Sequence, residues 1–331
     1  MTSIKDVADA AGVSTATVSR VLADKPHVRP EIRNQVLAVV EQLNYRPNRV
    51  ARSLRAQKST IIGLIVSDIR NPFFTWVSRA VEDAAYQHGY SLFQCNADED
   101  PDKEAMYLDL MQDENVAGVI LSPTRDTADA FSKKVKLDIP MVVIDRRVRG
   151  VDVDSVVIDN VEAAHKIISH LIADGHRRIG AMFGMGSTTG RERHDGFRQA
   201  FEAHGLDLHP ELVSYVNARE EEGYQTTHKL LNLAHPPDAI FTSNAVLSAG
   251  AFRALRESGR RIPDDIAFAS FDETTWASLV DPAITVIEQP TDEIGQTATE
   301  LLLNRIEEPD RPTREVILKG KLIVRHSCGC R

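Results

Sequence analysis

Thr15, Ala16, Ser19 and Arg20 recur at helical spacing on one side of a short segment whose other side is Val18, Val21 and Leu22. These residue types suit the edges of DNA bases. An arginine can pair bidentately with a guanine, and an alanine or a threonine methyl can touch the methyl of a thymine. Lys5, Thr17 and Arg33 are donors of the kind that grip phosphate oxygens, which position a protein on a duplex without reading it. Farther along, Arg49, Arg52 and Arg55 recur at helical spacing, with Val50 and Leu54 on another side. Pro47 ends the preceding element and Asn48 is a good N-cap. A helix this short is marginal by itself, since isolated helices below roughly 12–15 residues barely form in water. Cations on one side and an apolar ridge on the other call for a partner.

A second group of candidates lies in the body of the chain. Asp68 and Asn71-Pro72-Phe73-Phe74, Asp145-Arg146, Arg191 with Arg193, Ser243-Asn244 and Phe271-Asp272 each come just after an apolar run. One aspartate after a strand is an ordinary helix cap. Five polar places at the carboxyl ends of strands in doubly wound sheets converge on one edge, where such sheets bind ligands.

The elements that would carry these groups follow from periodicity. Ile4, Val7, Ala8 and Ala11 mark a first helix, opened by Ser3 and Asp6 in a capping-box arrangement. Gly12 breaks it, Ser14 can cap a second helix from Thr15 to about Leu22, and Pro30 opens a third. Ile32, Val36, Val39 and Leu43 of that third helix would close a small core. Two short helices joined by a glycine turn form a helix-turn-helix, whose second helix enters the major groove. After Thr60 the pattern becomes apolar strands alternating with amphipathic helices. Strands are expected at 61–66, 91–95, 118–121 and 141–144, then at 179–183, 213–216, 239–241 and 266–269. Helices are expected at 73–89, 102–113, 126–136, 162–173, 193–204, 222–233 and 247–258. Alternation of this kind builds right-handed βαβ units and two doubly wound parallel sheets.

Charge separates the two regions. Residues 1–60 hold ten Lys/Arg against five Asp/Glu, while the remainder holds 29 against 43. A basic segment on an acidic body points to a polyanion partner for the segment alone. Cys95, Cys328 and Cys330 make no even disulfide framework, and the Cys-Gly-Cys end lacks nearby partners for zinc, so no metal site is expected. The first residues have no apolar signal core and no apolar run approaches a membrane span, which places the chain in the cytoplasm with no membrane partner.

Ile4-Lys-Asp-Val-Ala8, Ala11-Gly-Val-Ser-Thr-Ala-Thr-Val-Ser-Arg-Val-Leu22 and Leu43-Asn-Tyr-Arg-Pro-Asn48 closely resemble the LacI/GalR family of bacterial transcription regulators. The likeness continues through Arg49-Val-Ala-Arg-Ser-Leu54 and, more loosely, to the C-terminus. It implies a DNA-binding helix-turn-helix headpiece at 1–46, a hinge helix and linker at 47–60, and a two-lobed sensor resembling periplasmic binding proteins at 61–331. The N-lobe would take about 61–160 plus 290–315, and the C-lobe about 161–289 plus 316–331. The resemblance also implies that Asn48 meets the DNA backbone. Arg49, Val50, Ala51, Arg52 and Leu54 would enter the minor groove, Leu54 as a wedge between base pairs.

For the body, the resemblance implies a sugar or purine between the lobes. It places sugar contacts on Asp145, Arg193, Asn244 and Asp272, with Phe73 as an aromatic wall. Carboxylates and amides bridge adjacent hydroxyls, and arginine adds fork-shaped donation. Ala218 stands where well-studied members carry an aromatic, which leaves the pocket roomier, and Trp276 could refill it. Arg146, Arg191 and Arg193 together would suit an acidic or phosphorylated sugar. The expected protein is thus a homodimeric repressor of a near-palindromic operator, without cofactor or enzymatic activity. A small sugar, sugar acid or sugar derivative would control it. After Ser327 no leucine heptad follows, so a dimer is the expected unit.

Two rivals are weaker. A nicotinamide enzyme would use the Gly184-Met-Gly186 to Gly190 segment, but its last spacing is wrong for a dinucleotide fingerprint. A transport-type sugar carrier leaves residues 1–60 unexplained.

Overall fold

The structure is a computed structural model, and it describes residues 2–22, 25–26, 28–45, 59–131, 135, 139–148 and 150–329. The chain divides into two units, Met1–Ser59 and Thr60–Arg331.

In the first unit Ser3 caps helix α1 (Ile4–Ala10) with the reciprocal capping box that Asp6 completes. Helices α2 (Thr15–Leu22) and α3 (Pro30–Gln42) follow. Val7, Ala8, Ala11, Val18, Val21 and Val36 are buried together, with Ile32, Val39 and Leu43 packed around them. The helical stripes read from the sequence are the faces that meet.

The second unit holds two six-stranded sheets. The N-lobe sheet contains β1 (Ile61–Val66), β2 (Ser91–Asn96), β3 (Gly118–Leu121), β4 (Met141–Ile144) and β5 (Asp154–Ile158). Helices α4 (Pro72–Gln87), α5 (Pro101–Asp113) and α6 (Arg125–Asp129) connect the first four strands. The C-lobe opens with α7 (Asn160–Ala173) and continues with β6 (Ile179–Gly184), α8 (Thr188–Ala203) and β7 (Val213–Val216). Then come α9 (Glu220–Leu231), β8 (Ala239–Thr242), α10 (Ala245–Glu257), β9 (Ala267–Phe271) and β10 (Thr285–Glu288). Helix α11 (Thr291–Glu307) and strand β11 (Glu315–Leu318) return to the N-lobe, and β12 (Lys321–Ile323) ends in the C-lobe.

The N-lobe order is β11-β5-β4-β3-β1-β2 and the C-lobe order is β12-β10-β9-β8-β6-β7. Among the described residues every strand pairing is parallel except β10 with β12. In each lobe the order reverses beside the first strand, and a doubly wound sheet opens a ligand crevice at that switch point. β1 is buried from its second residue onward, as a strand covered on both faces must be.

Three departures from the sequence reading concern extent. Strands β5, β10, β11 and β12 and helix α11 add to the elements that periodicity predicts. β11 pairs with β5, so the N-lobe share of the tail runs past residue 315 and the last crossing falls at Lys319-Gly320. The helix expected at 126–136 is described only over Arg125–Asp129.

Candidate functional site

Two regions carry the candidate chemistry. On α2, Ser14 Oγ accepts from the Thr17 amide at 3.2 Å and meets Thr17 Oγ1 at 3.0 Å, a side-chain cap that fixes the start of the helix. With Val18 and Val21 buried, Thr15, Ala16 and Arg20 are exposed and Ser19 is half-buried. The four share an outward face whose first turn leads. Thr17 Oγ1 joins the cap with capacity for one further bond, and Arg33 Nη2 donates to the Lys25 carbonyl at 2.9 Å, tying down the α2–α3 loop. Lys5 is exposed on α1. Asn48, Arg49, Val50, Ala51, Arg52 and Leu54 lie outside the described residues.

In the second unit the carboxyl ends of both sheets face each other across a cavity of about 110 Å³. That is of the order of the about 150 Å³ hole that admits one benzene ring, so the space suits a single-ring ligand. Phe73, Asp145, Arg146, Arg193, Asn244 and Asp272 all line it, as do Ala218 and the residues just after β1. The rule that reads residues following strands therefore brings most of the candidates together.

Arg193 sits at the centre. Its Nε donates to Asn160 Oδ1 at 2.8 Å and its Nη1 to the Ser243 carbonyl at 2.6 Å, while the guanidinium carbon lies 3.7 Å above the Phe271 ring centroid. Burial pulls its pKa down, and the negative charges of Asp272 and Asp145 oppose that. Asp272 accepts from the Ala245 amide at 3.2 Å and from Gln289 Nε2 at 2.5 Å. Asn244 Oδ1 accepts from the Leu247 amide at 2.9 Å as the N-cap of α10. Asp145 is the least compensated: burial pushes its carboxyl up to about 6, against the pull of Arg146 and Arg193.

Three candidates take other roles. Arg146 lines the cavity, yet its two terminal nitrogens reach Glu99 at 2.5 and 3.1 Å and one also reaches the Pro123 carbonyl at 2.8 Å. It is a strut for the turn after β2. Arg191 does not line the cavity and donates to the Gly186 carbonyl at 3.1 Å. Residues two apart on a helix point to different sides, so Arg191 and Arg193 cannot share the cleft. The 3-10 turn Thr275–Ser278 carries Trp276 onto α10, where its ring centroid is 5.6 Å from that of Phe252. It packs against the C-lobe core and does not line the cavity beside Ala218. Of the expected trio of arginines, Arg146 and Arg193 line the cavity and Arg191 does not.

Glu99, Arg125, Asn160, Asn217 and Gln289 were not singled out from the sequence. Arg125 spans the lobes, with Nη1 donating to the Met185 carbonyl at 3.2 Å and to Asn217 Oδ1 at 3.1 Å. Gln289 follows β10, a strand the periodicity reading lacked. The charged side chains among the described lining residues balance: Asp68, Asp98, Glu99, Asp145 and Asp272 against Arg70, Arg125, Arg146, Arg193 and Arg219. Such a wall offers acceptors and donors without net charge. As for the glycine segment after β6, a Cβ on Gly190 would sit 2.3 Å from the Gly184 carbonyl oxygen. That glycine serves close strand–helix packing.

Comparison with known proteins matches residues 59–325 to the periplasmic binding proteins and sugar binding domain of the LacI family. Residues 3–48 match the bacterial regulatory proteins of the lacI family. The ribose operon repressor of Halalkalibacterium halodurans is 37% identical over 99% of this chain and 97% of its own. Among solved structures, the lac repressor dimer bound to operator and the anti-inducer ONPF superposes with a TM-score of 0.86. It is 26% identical over 99% of both chains. A regulator from Enterococcus faecium with bound ribose gives 0.72 at 29% identity, over 81% of this chain and 98% of that one.

Proposed function

This chain belongs to the LacI family of bacterial regulatory proteins, and from that premise we propose that it is a cytoplasmic homodimeric repressor governed by a neutral monosaccharide. The base-reading residues are Thr15, Ala16, Ser19 and Arg20, with Lys5, Thr17, Arg33 and Asn48 on the backbone. The hinge residues Arg49 to Leu54 enter the minor groove where two copies meet at the operator centre. The sugar lies between the lobes. Asp145 and Asp272 accept from its hydroxyls, Arg193 and Asn244 donate to them, and Phe73 covers a ring face.

The observation that carries this reading is that Asp145, Asp272 and Arg193 line one charge-balanced cavity of single-ring size. A phosphorylated sugar would favour a wall with net positive charge, whereas the described lining charges balance and Arg146 is engaged by Glu99. Ribose is the first candidate. The 37% identical relative is named for the ribose operon, and a ribose-bound structure shares the fold. An effector acts only through different affinities for two states, so the sugar must change operator affinity by the factor that operator changes sugar affinity.

The test is a thermal-shift and calorimetric panel on the full chain, with ribose, other pentoses and hexoses, sugar phosphates and nucleobases. A ligand at 100 times its dissociation constant adds about 2.7 kcal/mol of stability. Stabilisation by a neutral monosaccharide that also shifts operator affinity at fixed salt supports the reading. Stabilisation by sugar phosphates or nucleobases alone overturns it.

A further inference from the structure

The Cys328-Gly329-Cys330 end has no metal-binding partner close in sequence, but the fold supplies partners from far upstream. His170 and Asp174 lie one turn apart on α7, and the turn His326–Cys328 brings Cys328 against them. His170 Nε2 is 3.3 Å from Cys328 Sγ and 3.2 Å from Asp174 Oδ2, and the three donor atoms lie within 4.8 Å of one another. For tetrahedral zinc, bonds of about 2.3 Å to sulfur, 2.05 Å to nitrogen and 2.0 Å to oxygen set edges of about 3.6 Å (N–S) and 3.3 Å (N–O). The two edges that meet at Nε2 match these to within a few tenths of an ångström, while the sulfur–oxygen edge, about 3.5 Å around zinc, lies within 4.8 Å here and would close on the ion.

Chemistry and access agree with geometry. Thiolate, imidazole and carboxylate together select zinc-like ions over magnesium or calcium. Cys328 is fully buried, while His170 and Asp174 keep 18% and 21% of their side chains exposed, so an ion can enter from the solvent side. The Cys328 sulfur also lies 3.1 Å from the Arg325 carbonyl oxygen, to which its thiol donates, so an ion replaces that hydrogen bond together with the contact to Nε2. An outer layer steadies the turn: His176 Nε2 lies 3.0 Å from the Cys328 carbonyl oxygen, and its Nδ1 lies 3.7 Å from Asp238.

We propose that His170, Asp174 and Cys328 form a site for a zinc-type transition metal that fastens the chain's final turn to α7, with water in the fourth position. Binding displaces the Cys328 thiol proton into solvent and leaves the His170 proton on Nδ1, so that the thiolate and the bare Nε2 become ligands. The fastened turn holds the C-lobe sheet. Ser327 Oγ donates to the Phe268 carbonyl at 2.6 Å and accepts from the Thr285 amide at 2.8 Å, joining β9 to β10.

The experiment uses chelator-treated full-length protein without a histidine tag, titrated with Co²⁺ and then Zn²⁺. One equivalent of Co²⁺ per chain should produce a thiolate-to-cobalt charge-transfer absorption that Zn²⁺ abolishes. The absorption should vanish in Cys328→Ser and persist in Cys95→Ser and Cys330→Ser. Zinc affinity should fall roughly tenfold or more in His170→Gln and in Asp174→Asn. Asp174→Asn changes a partly exposed side chain, so it reports even where Cys328→Ser folds poorly. No absorption in the wild type, an absorption that survives Cys328→Ser, or zinc affinity unchanged in both α7 variants would overturn the site.

Discussion

Asp145 and Asp272 hold their backbones at φ +67° and +74°, a region that costs a non-glycine residue about 1–3 kcal/mol. Each ends a strand, one in each lobe, and the left-handed turn aims each carboxylate into the same cavity. Burial then sets their chemistry apart. Asp272 is held by an amide and by Gln289, whereas Asp145 has its carboxyl pushed up to about 6. The direction of the pH effect follows. Above about pH 6 the ionised carboxylate accepts from sugar hydroxyls, and below it the proton removes that acceptor. Sugar affinity should therefore weaken as the pH falls, approaching tenfold per unit well below 6. The same shift makes the ligand-free fold lose stability as the pH rises from about 4 to about 6, because the unfolded chain ionises freely there while the native state still holds the proton; above about 6 the native state releases it too and the loss levels off. Calorimetric titrations from pH 5 to 8 should show the slope in the wild type and a weaker, flat profile in Asp145→Asn. A flat wild-type profile would remove Asp145 from the hydroxyl contacts.

At the scale of elements, the headpiece stands on three short helices whose faces are legible because each stripe is apolar at a period of 3.6. Arg20, exposed on α2, should behave as a reader. Arg20→Ala is expected to cost about 1–3 kcal/mol of operator binding and to relax preference at one base pair per half-site, measured with a set of singly substituted operators. Uniform weakening across the set would make Arg20 a phosphate contact. The sheets were legible where strands are unbroken apolar runs, as in Ile61–Val66. They were illegible where a polar group belongs inside. β5 opens on Asp154, fully buried because Arg305 of α11 pairs with it at 2.9 Å. Helix α11 escaped notice for a related reason: small residues mark its contact face. A Cβ on Gly295 would lie 2.5 Å from Ala80 Cβ and 2.9 Å from the Val81 nitrogen of α4. Gly295→Ala gains about 1 kcal/mol of helix propensity and loses about 1–3 kcal/mol to overpacking, so the overpacking wins. Urea unfolding should show a lower midpoint at unchanged slope. The site followed the same division. Residues after most of the recognised strands are legible, but Asn217, directly after β7, is not, because nothing in that half-buried edge strand signals the Arg125 contact. Glu99 needs the folded contacts and Gln289 the strand that periodicity does not show.

For the whole molecule, the question is what couples the cavity to the angle between the lobes. A chain of polar contacts leads out of the cleft. Arg193 Nε donates to Asn160 Oδ1, Asn160 Nδ2 donates to Glu192 Oε2 at 2.7 Å, and Glu192 Oε1 accepts from Arg147 Nη1 at 2.7 Å. Arg147 belongs to the N-lobe, where its Nε also donates to Glu315 on β11 at 3.1 Å. Asn160 begins α7 just after the first crossing between lobes, so the relay runs along the hinge and ends on the opposite lobe. A sugar that orders Arg193 thereby favours the arrangement in which Arg147 meets Glu192. Arg147 does not line the cavity, so its loss acts through closure alone. The pair is about a third exposed on the arginine side, which limits its worth to roughly 1 kcal/mol, and Arg147→Ala should weaken sugar binding by about fivefold. Operator affinity without sugar should change little, whereas the ratio between sugar-bound and sugar-free operator affinity should shrink. Glu192→Gln should match it in direction. If sugar affinity and that ratio both stay within twofold of the wild type in the two variants, the lobes are coupled by another route, and the Arg125 bridge to Asn217 is the next to test.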